Sequence, residues 1–165
     1  MCGLGDFQIV NRLKTIEQND NVSLFSICFN ESDLSEYEDF LIKFKDNSEL
    51  NHDFQMILLA LEKIIGYGAL ERFFRIEGSM KDNVSALAID SRKLRLYCLR
   101  ISDQILILGN GGIKNTRTYQ EDDVLRGYVI DLQRFEKLLK QLQKSGHITI
   151  ENNLIIGLEN NNIEI

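Results

Sequence analysis

The chain has 165 residues, 44% of them hydrophobic and 27% charged, and a net charge of −6. That size and balance suit one globular domain over residues 1–165; they exclude a disordered chain, and no apolar run approaches the ~20 residues of a membrane-spanning helix. The charge is unevenly placed, because residues 72–117 hold nine Lys/Arg against four Asp/Glu, whereas 1–71 carry −8 and 118–165 carry −3. A basic middle in an acidic protein can grip an anionic polymer such as RNA, or it can solvate the open face of a half-buried sheet.

The start, Met1-Cys2-Gly3-Leu4-Gly5-Asp6, lacks the basic and apolar regions of a secretory signal, which gives the expectation of a cytoplasmic protein. Cys28 and Cys98 sit among alternating apolar residues and read as buried thiols; His52 and His147 have no partner at metal-ligand spacing, so neither a metal nor another cofactor is expected. Proline is absent, so Gly, Asn, Asp and Ser must set every element boundary.

In chain order, an initial helix is expected near Phe7–Glu17. Val22–Phe29 mixes β-branched and aromatic residues between Asn-rich turns and reads as a first strand. Asn30-Glu31-Ser32-Asp33 then offers N-cap candidates before Leu34, Tyr37, Phe40, Leu41 and Phe44 recur at helical spacing. A second helix runs from about Ser48 to Ile65, with Gly66 and Gly68 as its stop. The two suggest a helical hairpin with one sticky face. Next, Val84–Ile89, Leu94–Ile101 and Gln104–Leu108 have strand character and links short enough for an antiparallel meander, with the hairpin on one face and the other face left for a partner. Val124–Lys144 is a long amphipathic helix, His147–Leu158 a hairpin around Glu151-Asn152-Asn153, and the final Asn-rich stretch is expected to fray. The fold class is therefore α+β.

Three stretches, Ala86–Asp90, Arg92–Arg100 and Ile105–Thr116, follow one another as a strand ending in a charge, a basic strand, and an apolar strand running into a Gly/Lys/Thr segment. With the preceding strand and helical hairpin, this order resembles the RelE/ParE toxin superfamily, most closely its HigB-like, phage-derived branch, over residues 22–119. The resemblance implies a small antiparallel sheet in β-α-α-β-β-β order, with residues 120–165 as a C-terminal helix and ribbon extension. It also implies a cytoplasmic messenger-RNA endoribonuclease, acting on free or ribosome-bound mRNA without metal and neutralised by a separate antitoxin that wraps the hairpin or the basic sheet. Such cleavage needs an activated ribose 2′-hydroxyl, cations to offset charge on five-coordinate phosphorus, and an acid for the leaving 5′-oxygen. By resemblance, Arg95 would hold the scissile phosphate, Lys114 or Arg117 would stabilise the phosphorane, and Tyr119 would stack on a base or assist proton transfer. Arg92, Lys93, Arg75 and Lys81 would bind RNA.

Several of these residues also have a plainer reading. Arg92, Lys93 and Arg95 could be a hairpin turn followed by a solvent-facing basic strand. Gly109-Asn110-Gly111-Gly112 could cradle a phosphate with its N–H groups, but it lacks the Gly-Lys-Ser/Thr of a P-loop and reads more simply as a flexible turn. Tyr119 precedes Glu121-Asp122-Asp123, acids that suit the start of the next helix. The alternative function is a non-catalytic protein-binding scaffold, a homodimer of the same fold, which an exposed apolar stripe along 124–144 would favour.

Overall fold

The computed structural model describes residues 10–30, 32–76, 82–90, 93–117, 119–158 and 162–164. Within them the chain forms strands β1 (Val10–Gln18) and β2 (Ser23–Cys28), helices α1 (Glu36–Phe44) and α2 (Asn51–Tyr67), and strands β3 (Phe74–Ile76), β4 (Val84–Leu87), β5 (Leu94–Ser102) and β6 (Ile105–Ile113). Helix α3 (Asp123–Lys144) follows, then β7 (Thr149–Glu151), β8 (Leu154–Ile156) and β9 (Asn162–Glu164). Short 3-10 turns cover Ser48–Leu50, Glu71–Phe73 and Tyr119–Glu121.

The α+β class is as expected, but the sheet is neither small nor purely antiparallel. Seven strands lie in the order β3-β4-β5-β6-β2-β1-β9, with β7-β8 a separate ribbon. Strands β4, β5 and β6 form the antiparallel meander, and β2 then pairs parallel to β6, Ser23 opposite Ile105 through Ser26 opposite Leu108. A parallel pair needs a long crossover, and α1, α2 and the meander itself supply it.

The expected N-terminal helix is a strand over its described part. Leu13 and Ile16 are spaced three apart, which mimics a helical stripe, but β1 has a bulge between Thr15 and Glu17. Three apart is an odd spacing, so strand alternation alone sends Leu13 to the core under α3 and Ile16 to the core under α1 and α2. At the other terminus the expected frayed end includes β9, which pairs with β1 from Val10 opposite Glu164 to Arg12 opposite Asn162.

Helix α1 begins where a capping box forms: Ser35 Oγ accepts from Glu38 N and the Glu38 carboxylate accepts from Ser35 N. The cap is thus Ser35, downstream of the Asn30–Asp33 candidates, and it is also fully buried. Helix α2 ends at Gly68, whose φ of 98° suits only glycine without strain. Tyr37, Phe40, Phe44, Phe54, Ile57, Leu61 and Ile64 of the helix pair pack on Leu24, Leu94, Leu96, Cys98, Leu106 and Leu108.

The other face of the sheet is not left open. Helix α3 covers it, capped by Asp122, which accepts from Val124 N and Leu125 N at 2.9 and 3.0 Å. Leu125, Val129, Leu132, Phe135 and Leu139 pack on Phe25, Val84, Ala86, Tyr97, Leu99, Ile105 and Ile107. Residues beyond 120 therefore complete a second core, because the meander's alternation leaves Tyr97, Leu99, Ile105 and Ile107 apolar on the side away from α1 and α2. Cys28 and Cys98 are buried free thiols, as their surroundings suggest.

Candidate functional site

The segment Gly109–Gly112 is neither a turn nor a phosphate cradle; it lies inside β6. Its glycines answer to close approach. A Cβ at Gly111 would stand 1.9 Å from Arg95 O, and one at Gly109 would stand 2.9 Å from Leu132 Cδ1 and 3.0 Å from Tyr97 O. The register shift between Leu96 and Cys98 falls at the same place. Strand β6 thus bends across β5 under α3, which only residues without side chains permit.

Beyond that bend, several of the basic candidates meet. Arg95 pairs with Gly112, and Lys114 N donates to Lys93 O at 2.7 Å, so Lys93, Arg95 and Lys114 stand in adjacent register at one end of the meander. Strand alternation puts Arg95 on the α3 side with Tyr97 and Leu99. A Cβ at Gly112, opposite it, would lie 3.2 Å from Leu125 Cδ2 near the start of α3. Tyr119 reaches the same neighbourhood, its ring edge-on to that of Tyr97 with centroids 6.4 Å apart.

Arg95 is not on a solvent-facing strand. It is 8% exposed, and its Nη1 donates to Leu94 O at 3.1 Å. The roof is α3 and the 3-10 turn before it. Lys93 and Arg117 are exposed, Lys114 and Tyr119 half-buried. The cluster is thus a buried guanidinium with a rim of more accessible cations. Arg75 lies on the same face but two strands away: it opposes Ala86 of β4, which opposes Tyr97, and its Nη2 donates to Ile89 O at 3.3 Å. Lys81 and Arg92 lie outside the described residues.

One cation of the basic stretch is consumed elsewhere. Arg100 faces the opposite side, donates to Ala69 O at 2.7 Å and pairs with Asp103 and Glu71.

Sequence reasoning missed the residues that brace the β6 bend. Lys43 of α1 reaches past the sheet to donate to Tyr128 Oη of α3 at 2.9 Å and to Gly111 O at 3.3 Å. Its ammonium also sits 4.9 Å from the Tyr128 ring centroid. Asn110, 2% exposed, donates to Asp39 at 2.8 Å and accepts from Gly111 N at 2.8 Å. No local pattern announces this clasp, since Lys43 and Tyr128 are 85 residues apart. Acid crowds it: burial, then Asp131 and Asp39, hold the Glu36 carboxyl above its usual range, and burial raises that of Asp131.

The described residues include no group of three or more His, Cys, Asp or Glu placed to hold a metal, and no helix long and apolar enough to cross a membrane. The arrangement can stabilise negative charge through buried and accessible cations and can offer a phenol for stacking or proton transfer. No family model matches the chain, and no curated protein or solved structure matches it significantly.

Proposed function

We propose that the chain is a metal-independent endoribonuclease of the RelE/ParE type, a messenger-RNA-cleaving toxin restrained by a separate antitoxin. The observation that carries this reading is the adjacent register of Lys93, Arg95 and Lys114 at one end of β5 and β6, with Tyr119 edge-on to Tyr97, two residues along β5 from Arg95. The run β2-α1-α2-β4-β5-β6 supports it, having the element order on which the resemblance rests, with β3 an added edge strand.

In this mechanism the ribose 2′-oxygen attacks the adjacent phosphorus and the 5′-oxygen leaves. Negative charge gathers on the non-bridging oxygens in between. Arg95, held in a low-dielectric setting, acts more strongly on that charge than an exposed cation would and needs no reorganisation. Lys114 and Arg117 neutralise the phosphorane from the rim, and Lys93 holds the flanking backbone. Tyr119 stacks on a base or moves a proton.

The rival scaffold reading has less support. Its mark was an apolar stripe exposed along α3, and Val124 is the one exposed large apolar residue of that helix.

The test is inducible expression in a bacterium, scoring growth and primer-extension cleavage of a reporter messenger RNA. Wild type is expected to arrest growth with discrete cuts. Lys114→Ala and Arg117→Ala, which alter accessible side chains, are expected to suppress both at unchanged soluble yield, with Arg95→Ala as the most severe member of the series. Normal growth and intact RNA at good soluble yield overturn the proposal.

A further inference from the structure

A concavity lies on the α3 side of the sheet, over β1 and the end of β2 and away from β5. It is a cleft of about 550 Å³ lined by Asn11, Phe29, Asn30, Asp131, Arg134, Phe135 and Leu138. That volume falls among those of small-ligand sites, as does the mixture of an apolar wall with a few converging polar groups.

Three features say what it would take. Phe29 and Leu138, both half-buried, supply apolar surface over the buried Phe135, and the Phe29 ring suits the face of a planar ring. Asp131 and Arg134, three apart on α3, project from one side of the helix and place a carboxylate beside a guanidinium. Asn11, 1% exposed, contributes a buried amide whose Oδ1 has no hydrogen-bond partner. Buried polar groups are nearly always paired, so this one marks a polar site whose capacity is unspent.

We propose that this cleft binds a purine base, guanine in preference to the others. A ring lying on Phe29 and Leu138 leaves its polar edge toward α3, where Asp131 accepts from N1–H and N2–H and Arg134 donates to O6 and N7. Guanine offers two adjacent donors to a carboxylate. Adenine and cytosine offer one amino group and uracil one ring N–H, and the pyrimidines cover less of the wall. The inference stands apart from the cleavage reading, because base binding is read directly and involves none of Lys93, Arg95, Lys114 or Tyr119.

The experiment titrates the isotope-labelled chain with GMP, AMP, CMP and UMP and follows amide chemical shifts; the common phosphate makes differences among them report the base. Saturable shifts with GMP are expected around Asn11, Asn30, Asp131 and Arg134, about tenfold tighter than with CMP or UMP and tighter than with AMP. Asp131→Asn should weaken GMP by about tenfold or more. The neutral amide removes a carboxylate that burial already disfavours, so this variant keeps the fold. Leu138→Trp, which fills the cleft from its wall, should abolish GMP binding and leave distant resonances in place. No saturable response at millimolar GMP, equal affinity for the four nucleotides, shifts confined to the Lys93–Lys114 region, or unchanged affinity in either variant overturns the proposal.

Discussion

On one face of the sheet, Leu24, Leu94, Leu96, Leu106 and Leu108 meet the aromatic and aliphatic residues of α1 and α2 in an apolar layer; on the other, the layer beneath α3 is interrupted by Tyr97 and Tyr119, with Arg95 beside them and a polar cleft at the margin. Both faces are closed by helix, yet the second takes the buried Arg95 and the paired rings of Tyr97 and Tyr119 into its layer, whereas Arg100 on the first is tied to Ala69, Asp103 and Glu71. The difference separates two jobs. On the proposed function, the α1/α2 layer supplies stability through apolar packing, and the α3 side gives up part of its packing to chemistry.

The largest effect should come from the apolar side. Phe40 is fully buried, its ring centroid 5.2 Å from Phe44 and 6.2 Å from Phe54. Phe40→Ala should cost about 3–5 kcal/mol in urea unfolding, through lost burial and the cavity left behind. Any RNA cleavage per folded molecule should be unchanged. A loss below about 1 kcal/mol would mean that this layer is not the main source of stability.

Gly111→Ala joins the two regions. Its Cβ would stand 1.9 Å from Arg95 O, so β5 and β6 must separate where Arg95 and Lys114 are placed. The expected cost is about 1–3 kcal/mol, with loss of RNA cleavage out of proportion to it. Retained cleavage in a soluble Gly111→Ala protein would detach the bend from the site.

Smaller again is Ser35→Ala, which removes half of the α1 capping box and should cost about 1 kcal/mol. Hydrogen exchange should show faster opening of the first turn of α1, with α3 unaffected.

The smallest expected effect reads the acidic crowding beside the Lys43 clasp. Burial, Asp131 and Asp39 raise the Glu36 carboxyl, so its contribution to stability is present below the ordinary value of 4.5 and is lost as the pH rises through the folded-state value. Glu36→Gln should therefore stabilise the protein at neutral pH, by about 0.2–0.5 kcal/mol for the Asp39 contact alone, and the gain should fade as the pH falls through the folded-state value and be gone below 4.5. Thermal unfolding across that range checks the sign; a gain that grows toward acid would contradict it.

How much of this was legible in the sequence follows from whether the signal was local. The helices α1, α2 and α3 carry long apolar periods, and the β4–β6 meander shows short links, so both are readable along the chain. The strand identity of β1 was hidden because Leu13 and Ile16 stand at a spacing that suits one face of a helix but opposite faces of a strand. The closed second face was missed for a related reason: the partner of Tyr97, Leu99, Ile105 and Ile107 is a helix that starts ten residues after β6 ends. Among site residues, the alternation of β5 puts Arg95 and Tyr97 on one face. Alternation could not say that the face is buried, nor that Asn110 finds Asp39 and Lys43 finds Tyr128 across the fold. The glycine run misled for a physical reason, since glycines serve a flexible turn and a crowded strand equally well.

The most direct test of the division of labour is cleavage of a defined RNA by purified protein, measured per folded molecule for wild type, Lys114→Ala and Leu61→Ala. The account predicts that Lys114→Ala loses cleavage at near wild-type stability, while Leu61→Ala, buried in the α1/α2 layer, loses stability and keeps the rate of its folded fraction. RNA left intact by wild type, or cut equally well by Lys114→Ala, would contradict it.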